Sequence, residues 1–221
     1  MSIPTDSIIV VRHAEPADQH VTAPNHWIDM PLTDLGRRQA DAVADRLARE
    51  LAGATCRLYS SDLKRTAQTA EPIASRLGVA VQPAPQLREY NNGLADGLSA
   101  ETLKTWAPEL TPPMREILAN PGGESWPQFH QRVSAFMERI SAAADRPLIV
   151  VAHNGSINII LNWWLRAPLT AGGDTPLSFG ASLASLTVLR VSPQGKPAVE
   201  RLNDTCHLQA AGLGENSQPP R

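Results

Sequence analysis

Ile8-Ile9-Val10-Val11 runs without a break into Arg12-His13, and far along the chain Leu148-Ile149-Val150-Val151-Ala152 runs in the same way into His153. Continuous apolar runs of this length read as strands covered on both faces, the condition inside a parallel sheet. In open α/β sheets, ligands gather at the carboxyl ends of the strands. Two imidazoles at that edge, one directly after an arginine, point to a site where a histidine acts on an anion.

The segments between and after these runs alternate helix and strand. Thr33 is placed to cap a helix reaching about residue 51, in which Val43, Leu47 and Leu51 repeat at four residues with Ala40 and Ala44 on the same side. A short strand is expected over 57–60, a helix over 62–77 closed by Gly78, and a weak strand over 79–81. Ser125-Trp126-Pro127-Gln128 fits a capping box with proline in the first turn, opening a helix with Phe129, Val133, Phe136, Met137 and Ile140 on one face. A helix over 156–165 follows the second strand–histidine unit, and two further strands are expected over 183–191 and 197–202. This order predicts an α/β fold with a largely parallel sheet.

Composition narrows the function classes. The chain has 221 residues, with 20 basic against 22 acidic side chains and a net charge of −2. It suits a single domain over 1–208 with a lid insertion near 99–123, and a polar Gly/Pro-rich tail over 209–221 with nothing to bury. Near-neutrality argues against a general nucleic-acid binder. No apolar stretch approaches a membrane span, and the first residues carry no export-type leader, so a cytoplasmic location is expected. Cys56 and Cys206 form no metal-type cluster and read as separate thiols.

Setting each strand end at one sheet edge collects a specific set of side chains. Arg12 and His13 follow the first strand, Ser60, Ser61 and Arg65 the next, Glu89 lies in the loop after Val81, and His153, Asn154 and Gly155 open a helix. Guanidinium forks match phosphate oxygens, and the free N–H groups of a helix start add to them. In that setting a neutral His13 can attack phosphorus, while Glu89 protonates the departing alkoxide and then takes a proton from water. Arg12, Arg65 and His153 would balance the phosphoryl charge, so neither a metal nor another cofactor is required. Each residue has an ordinary alternative: a strand-end histidine bound to backbone, arginines in surface ion pairs, a solvated loop glutamate. Four separate loops directing charge at one edge outweigh those alternatives taken together.

These segments resemble the histidine phosphatase superfamily, in the branch related to cofactor-dependent phosphoglycerate mutase. The resemblance is carried by Val10-Val11-Arg12-His13-Ala14-Glu15, by Pro31-Leu32-Thr33-Asp34-Leu35-Gly36 and by Ser60-Ser61-Asp62-Leu63-Lys64-Arg65-Thr66-Ala67-Gln68-Thr69-Ala70. It continues in Leu87-Arg88-Glu89, Gly123-Glu124-Ser125, Val150-Val151-Ala152-His153 and Leu202-Asn203-Asp204-Thr205-Cys206-His207-Leu208. It implies a three-layer α/β/α sandwich, with His13 as nucleophile, Glu89 as acid, and Arg12, Arg65 and His153 as phosphate ligands. Ala14 stands where relatives usually have glycine, Gln19 where they often have a phosphate-contacting asparagine, and Asn154 where a glycine usually follows the second histidine. Gln19 and Asn154 are carried as phosphate-binding candidates through a side-chain amide and a backbone N–H respectively. A positive φ at residue 14, or a close approach of its backbone to phosphate, is the condition under which alanine would matter, and asparagine at 154 tolerates αL well.

The segment Tyr90-Asn91-Asn92-Gly93-Leu94-Ala95-Asp96-Gly97 lacks the arginine- and tyrosine-rich pattern of the family's mutases, so hydrolysis of a small-molecule phosphate ester is expected. A phosphoglycerate mutase and a non-catalytic phospho-ligand binder are the alternatives. Specificity is expected in the loop over 18–30 and the lid over 99–123, where His20, His26, Trp27, Trp106 and Arg115 stand out. Relatives of this size occur in more than one oligomeric state, so a homodimer is carried as an expectation. Adjacent Trp163 and Trp164 face different directions, with at least one in the core or at a dimer contact.

Overall fold

The computed structural model describes residues 3, 6–17, 27–98, 102, 121–142, 147–170 and 173–213. Most of the expected lid over 99–123 and most of the loop over 18–30 lie outside them, with Gln19, His20, His26, Trp106 and Arg115.

Four parallel strands form one side of the sheet: β1 (Ile8–Arg12), β2 (Arg57–Ser60), β3 (Val81–Pro83) and β4 (Leu148–Ala152). β5 (Leu186–Val191) and β6 (Pro197–Asp204) complete a six-stranded sheet in the order β3-β2-β4-β1-β5-β6, with β5 antiparallel to both β1 and β6. The α-helices whose bounds lie among the described residues are α1 (Asp34–Glu50), α2 (Lys64–Leu77), α3 (Trp126–Ser141), α4 (Asn154–Trp164) and the short α5 (Cys206–Ala210).

Side-chain alternation along the central strands assigns the layers. Ile9, Val11, Ile149 and Val151 pack with Val43 and Leu47 of α1, Ile73 of α2 and Leu208 of α5. Ile8, Val10, Leu148 and Val150 pack on the opposite face with Phe129, Val133 and Met137 of α3 and Ile157 and Ile160 of α4. The architecture is a three-layer α/β/α sandwich with a mixed but mostly parallel sheet, as the resemblance implies. β1 and β4 are buried on both faces, which is why their sequences lack polar alternation.

Local chemistry sets the element ends. Thr33 caps α1 by accepting from the Gly36 N–H, and Ser125 opens α3 with a full capping box to Gln128. Gly78 closes α2 at φ 67°, and the Val79 N–H returns to the Ala74 carbonyl. Val79 and Ala80 are spent on that turn, so β3 begins at Val81, later than the expected strand over 79–81. α4 begins at Asn154 with His153 as its N-cap residue, earlier than expected. β5 starts at Leu186 because Ala184 takes φ 55° just before it. At the C-terminal end, α5 runs to Ala210 and Leu213 packs on the core, so the packed chain continues past the expected boundary at 208.

Trp163 and Trp164 both pack against the α3–α4 side of the core, and each indole N–H is spoken for, by Glu138 and by the Ala198 carbonyl. Cys56 is buried and Cys206 exposed, both free. Among the described residues no helix is long and apolar enough to cross a membrane.

The connection from β1 to α1 is clamped. The Thr33 N–H donates to the Glu15 carbonyl at 3.0 Å, and the Thr33 hydroxyl donates to the Glu15 carboxylate at 2.8 Å. Helix and loop approach so closely that a Cβ on Gly36 would lie 2.2 Å from the Glu15 carbonyl oxygen. Because the obstacle is backbone, Gly36→Ala is expected to destabilise the fold by about 1–3 kcal/mol in urea denaturation. An unchanged midpoint would show that the β1–α1 loop is not held there.

Candidate active site

The β1–β4 pairing brings the two strand–histidine units together. Arg12 is the register partner of Ala152, and the His13 N–H extends the pairing by donating to the Ala152 carbonyl at 3.0 Å. The next residue in each strand is a histidine, and the rings of His13 and His153 lie 5.2 Å apart. The His13 carbonyl accepts from the Ala184 N–H at 3.1 Å, so the backbone of His13 is held between β4 and the approach to β5.

His13 is buried, and its Nδ1 lies 2.8 Å from the Ala14 carbonyl oxygen. A carbonyl only accepts, so Nδ1 carries the proton and Nε2 keeps its lone pair. Burial holds the pKa of His13 well below the ordinary imidazole value, and the nearby guanidinium groups of Arg12 and Arg65 push it the same way. The Ala14 hydrogen bond opposes them without prevailing. The neutral, Nδ1-protonated ring is therefore the resting form.

Arg65, in the first turn of α2, is almost fully buried. Its Nε donates to His153 Nδ1 at 3.3 Å, and Nη1 donates to the Ile28 carbonyl at 2.9 Å. With Nδ1 of His153 accepting, its Nε2–H donates to the Ser61 hydroxyl at 2.9 Å. Arg12 reaches across to the Ala181 carbonyl. Arg12, His13, Arg65 and His153 thus converge at the carboxyl edge of β1, β2 and β4. Among the described residues, no group of three or more His, Cys, Asp or Glu side chains is arranged to hold a metal ion.

Glu89 arrives by a different route. Leu87 is buried in the core, Arg88 forms a bidentate pair with Asp62 at 2.7 and 2.6 Å, and Glu89 turns to the start of α4. The Gly155 N–H donates to Glu89 Oε2 at 2.8 Å, and the Tyr90 N–H donates to Oε1 at 2.9 Å. A Cβ on residue 155 would fall 2.1 Å from Glu89 Oε1. Glycine here is a condition for the carboxylate to sit where it does.

Several side chains hold positioning roles that the sequence reading did not assign. The Trp27 indole N–H donates to the Glu89 carbonyl at 2.8 Å, and the Arg88 guanidinium lies 4.6 Å over its ring, so Trp27 braces the Glu89 loop. Arg132 of α3 donates to the carbonyls of Gln86, Arg88 and Glu89 and pairs with Glu124. Glu124 explains the Gly123-Glu124-Ser125 segment, but no local pattern marks Arg132. His207 accepts at Nδ1 from Arg46 and donates Nε2–H to the Ala184 carbonyl at 2.9 Å, tying α5 to the segment that holds His13.

The three departures from the resemblance resolve differently. Ala14 does not have a positive φ, and its N–H donates to the Thr69 hydroxyl at 3.0 Å, so alanine is accommodated. Asn154 is the first residue of α4, so tolerance of αL is not what it supplies. Gln19 lies outside the described residues.

The chain is similar to known proteins over most of its length. The family profile of the histidine phosphatase superfamily (branch 1) matches residues 8–205. Phosphoserine phosphatase 1 of Hydrogenobacter thermophilus is 29% identical over 208 residues, covering 91% of this chain and 93% of that protein. A probable phosphoglycerate mutase GpmB of Yersinia pestis is 30% identical over 220 residues, covering 94% and 97%. Among solved structures, a mycobacterial glucosyl-3-phosphoglycerate phosphatase superposes with a TM-score of 0.74 at 26% identity, covering 90% of this chain and 99% of that one.

The depressed pKa of His13 has a measurable sign. The unfolded chain binds a proton at His13 that the folded chain refuses, so this residue's share of stability is present above about pH 6.5 and is lost as pH falls below it. NMR titration is expected to place the His13 pKa below 6.5, and Arg65→Met is expected to raise it, because a repelling cation is removed. A value at or above 6.5 in the intact protein would contradict the neutral resting ring.

Proposed function

This chain belongs to the histidine phosphatase superfamily, branch 1, and from that premise we propose that it hydrolyses a small-molecule phosphomonoester through a phosphohistidine at His13, without a metal ion. The observation that carries this reading is the state of His13. Its Nδ1–H is given to the Ala14 carbonyl, its Nε2 lone pair remains, and two guanidinium groups stand beside it.

In the proposed first step Nε2 attacks phosphorus and the bond from phosphorus to the ester oxygen breaks. The phosphoryl group moves to His13, whose Nδ1–H stays on the Ala14 carbonyl. Glu89, in its acid form, gives its proton to the departing alkoxide. In the second step water attacks the phosphohistidine, Glu89 takes the water proton, and inorganic phosphate leaves with His13 neutral again. Arg12, Arg65 and His153 hold the equatorial oxygens, where charge gathers in the transition state, with the Asn154 N–H at the start of α4 and Gln19 as further ligands. The two guanidinium groups, aided by these N–H donors, supply the charge balance that a metal supplies elsewhere.

A second reading, phosphoglycerate mutase, is favoured by the name of the Yersinia relative. Against it, Tyr90 to Gly97 contains no basic side chain to grip a carboxylate, and Asp96 there accepts from the Trp27 N–H. A coupled assay with bisphosphoglycerate separates the two: isomerisation exceeding hydrolysis would establish the mutase.

The wild-type protein is expected to hydrolyse p-nitrophenyl phosphate in EDTA and to form an acid-quenched radiolabelled phosphoenzyme, with both lost in His13→Ala. Full activity in that variant would sink the phosphohistidine route. Gly155→Ala tests the acid. The added methyl meets the end of the Glu89 side chain rather than backbone, so the fold should survive while the carboxylate is displaced. Its kcat on alkyl phosphates is expected to fall about 10- to 100-fold, within the range for a lost general acid. The fall should be smaller for the aryl ester, whose leaving group needs little protonation; equal losses would argue that Glu89 does not protonate the alcohol.

A further inference from the structure

Beside the phosphate site lies a cavity of about 280 Å³, lined mostly by residues that the proposed chemistry does not use. It is bounded by Trp126 and His130 of α3, the start of α4, and the segment holding Asp174, Thr175 and Ser178. None of His13, Arg12 and Arg65 lines it, but Asn154 and Gly155 do. Gly155 is the residue whose N–H holds Glu89. Glu89 itself does not line the cavity, but the cavity adjoins the start of α4 on which the Glu89 carboxylate is held.

Resting on the phosphomonoesterase reading above, we infer that this cavity seats the alcohol part of the ester, and that this part is an uncharged, hydroxyl-rich ring of monosaccharide size. The volume sits near the lower end of small-molecule pockets, roughly 300–1,000 Å³, which admits one ring and not a dinucleotide. Trp126, stacked on Phe129 and edge-on to Tyr90, gives a rigid aromatic wall.

The polar lining suits hydroxyl groups, which both donate and accept. Asp174 Oδ1 is occupied by the Thr175 N–H at 2.7 Å, while Oδ2 carries no hydrogen bond among the described residues. His130 lines the cavity, but its Nε2 is closed off even from water, which leaves Asp174 Oδ2 as the acceptor for a ligand hydroxyl. Asn158 is already committed to the Asn154 and Phe179 carbonyls and the Phe179 N–H, so it shapes the wall and leaves reading to its neighbours.

Charge decides against the other classes of ester. Among the described residues the lining holds one carboxylate, Asp174, and neither lysine nor arginine. Burial lowers the pKa of His130, so the imidazole contributes no positive charge near neutrality. A leaving group carrying a carboxylate or second phosphate is repelled by Asp174 and finds, among the described residues, only the N-terminal end of α4 to attract it. A single carboxylate that already accepts a backbone N–H is a weak seat for an ammonium group.

The test compares kcat/KM of the purified chain on a hexose monophosphate, phosphoethanolamine, a phosphoglycerate and p-nitrophenyl phosphate. The hexose ester is expected to exceed both the amine-bearing and the carboxylate-bearing ester by at least tenfold. Asp174→Asn keeps the shape of the side chain and should lower the ratio of hexose to aryl activity about tenfold. Ser178→Arg, on the exposed rim, should shift the ratio of phosphoglycerate to hexose activity upward by a similar factor. A preference for the amine or the carboxylate ester, or ratios unmoved in both variants, would overturn the inference while leaving phosphatase activity on the aryl ester intact. No hydrolysis of any ester would overturn the phosphatase reading itself.

Discussion

The parallel register between β1 and β4 is the constraint on which the site depends. Arg12 stands opposite Ala152, so the next residue on each strand, His13 and His153, emerges at the same level of the sheet edge. A slip of one residue would send every side chain of the strand to the opposite layer. Ile9 and Val11 would lose their places against α1, and Ile8 and Val10 theirs against α3 and α4. Each fully buried aliphatic side chain contributes roughly 1.5–3 kcal/mol, so the apolar layers on both faces enforce the register. The distance between the two imidazoles is set by core packing well away from them.

Electrostatics then specialises the two histidines. His13 follows an arginine, loses its solvent and gives its Nδ1 proton to a backbone carbonyl, which leaves a neutral ring with one lone pair. His153 accepts from Arg65 and donates to Ser61, in a chain that crosses from α2 to β2. The same strand–histidine pattern produces two different chemical states because the neighbours differ. Around them, Trp27 and Arg132 hold the Glu89 loop through its carbonyl groups, Glu124 accepts from Arg132 and from the Asn91 N–H, and His207 with Arg46 steadies the approach to β5. These contacts hold backbone, which is how residues on loops keep the geometry that the chemistry requires.

Much of the fold was legible because its signals are local. Apolar runs identified β1 and β4, Thr33 and Ser125 marked helix starts, and Gly78 marked a helix end. Boundaries moved where the backbone made a turn that composition does not announce: the Val79 return to Ala74 delayed β3, and the left-handed Ala184 delayed β5. The core of the candidate site was legible for a related reason. Strand ends of a parallel sheet share one edge, so placing the strands places Arg12, His13, Arg65 and His153. Trp27 was expected to belong to a specificity loop, and its bracing of Glu89 is a contact that no sequence pattern announces. Arg132 could not be singled out, since an arginine on an amphipathic helix resembles any solvated one until its helix is docked.

By itself, the sequence determined the alternation of strand and helix, the two strand–histidine junctions and the residue types gathered at the sheet edge, because periodicity and capping are properties of neighbouring residues. Only the tertiary structure decided the tautomer of His13, the seat of Glu89 on the Gly155 N–H, the bracing by Trp27 and Arg132, and the cavity between α3, α4 and the segment around Asp174. Each of these joins groups distant along the chain, and hydrogen-bond direction, desolvation and empty volume exist only once packing has brought such groups within a few ångströms of one another.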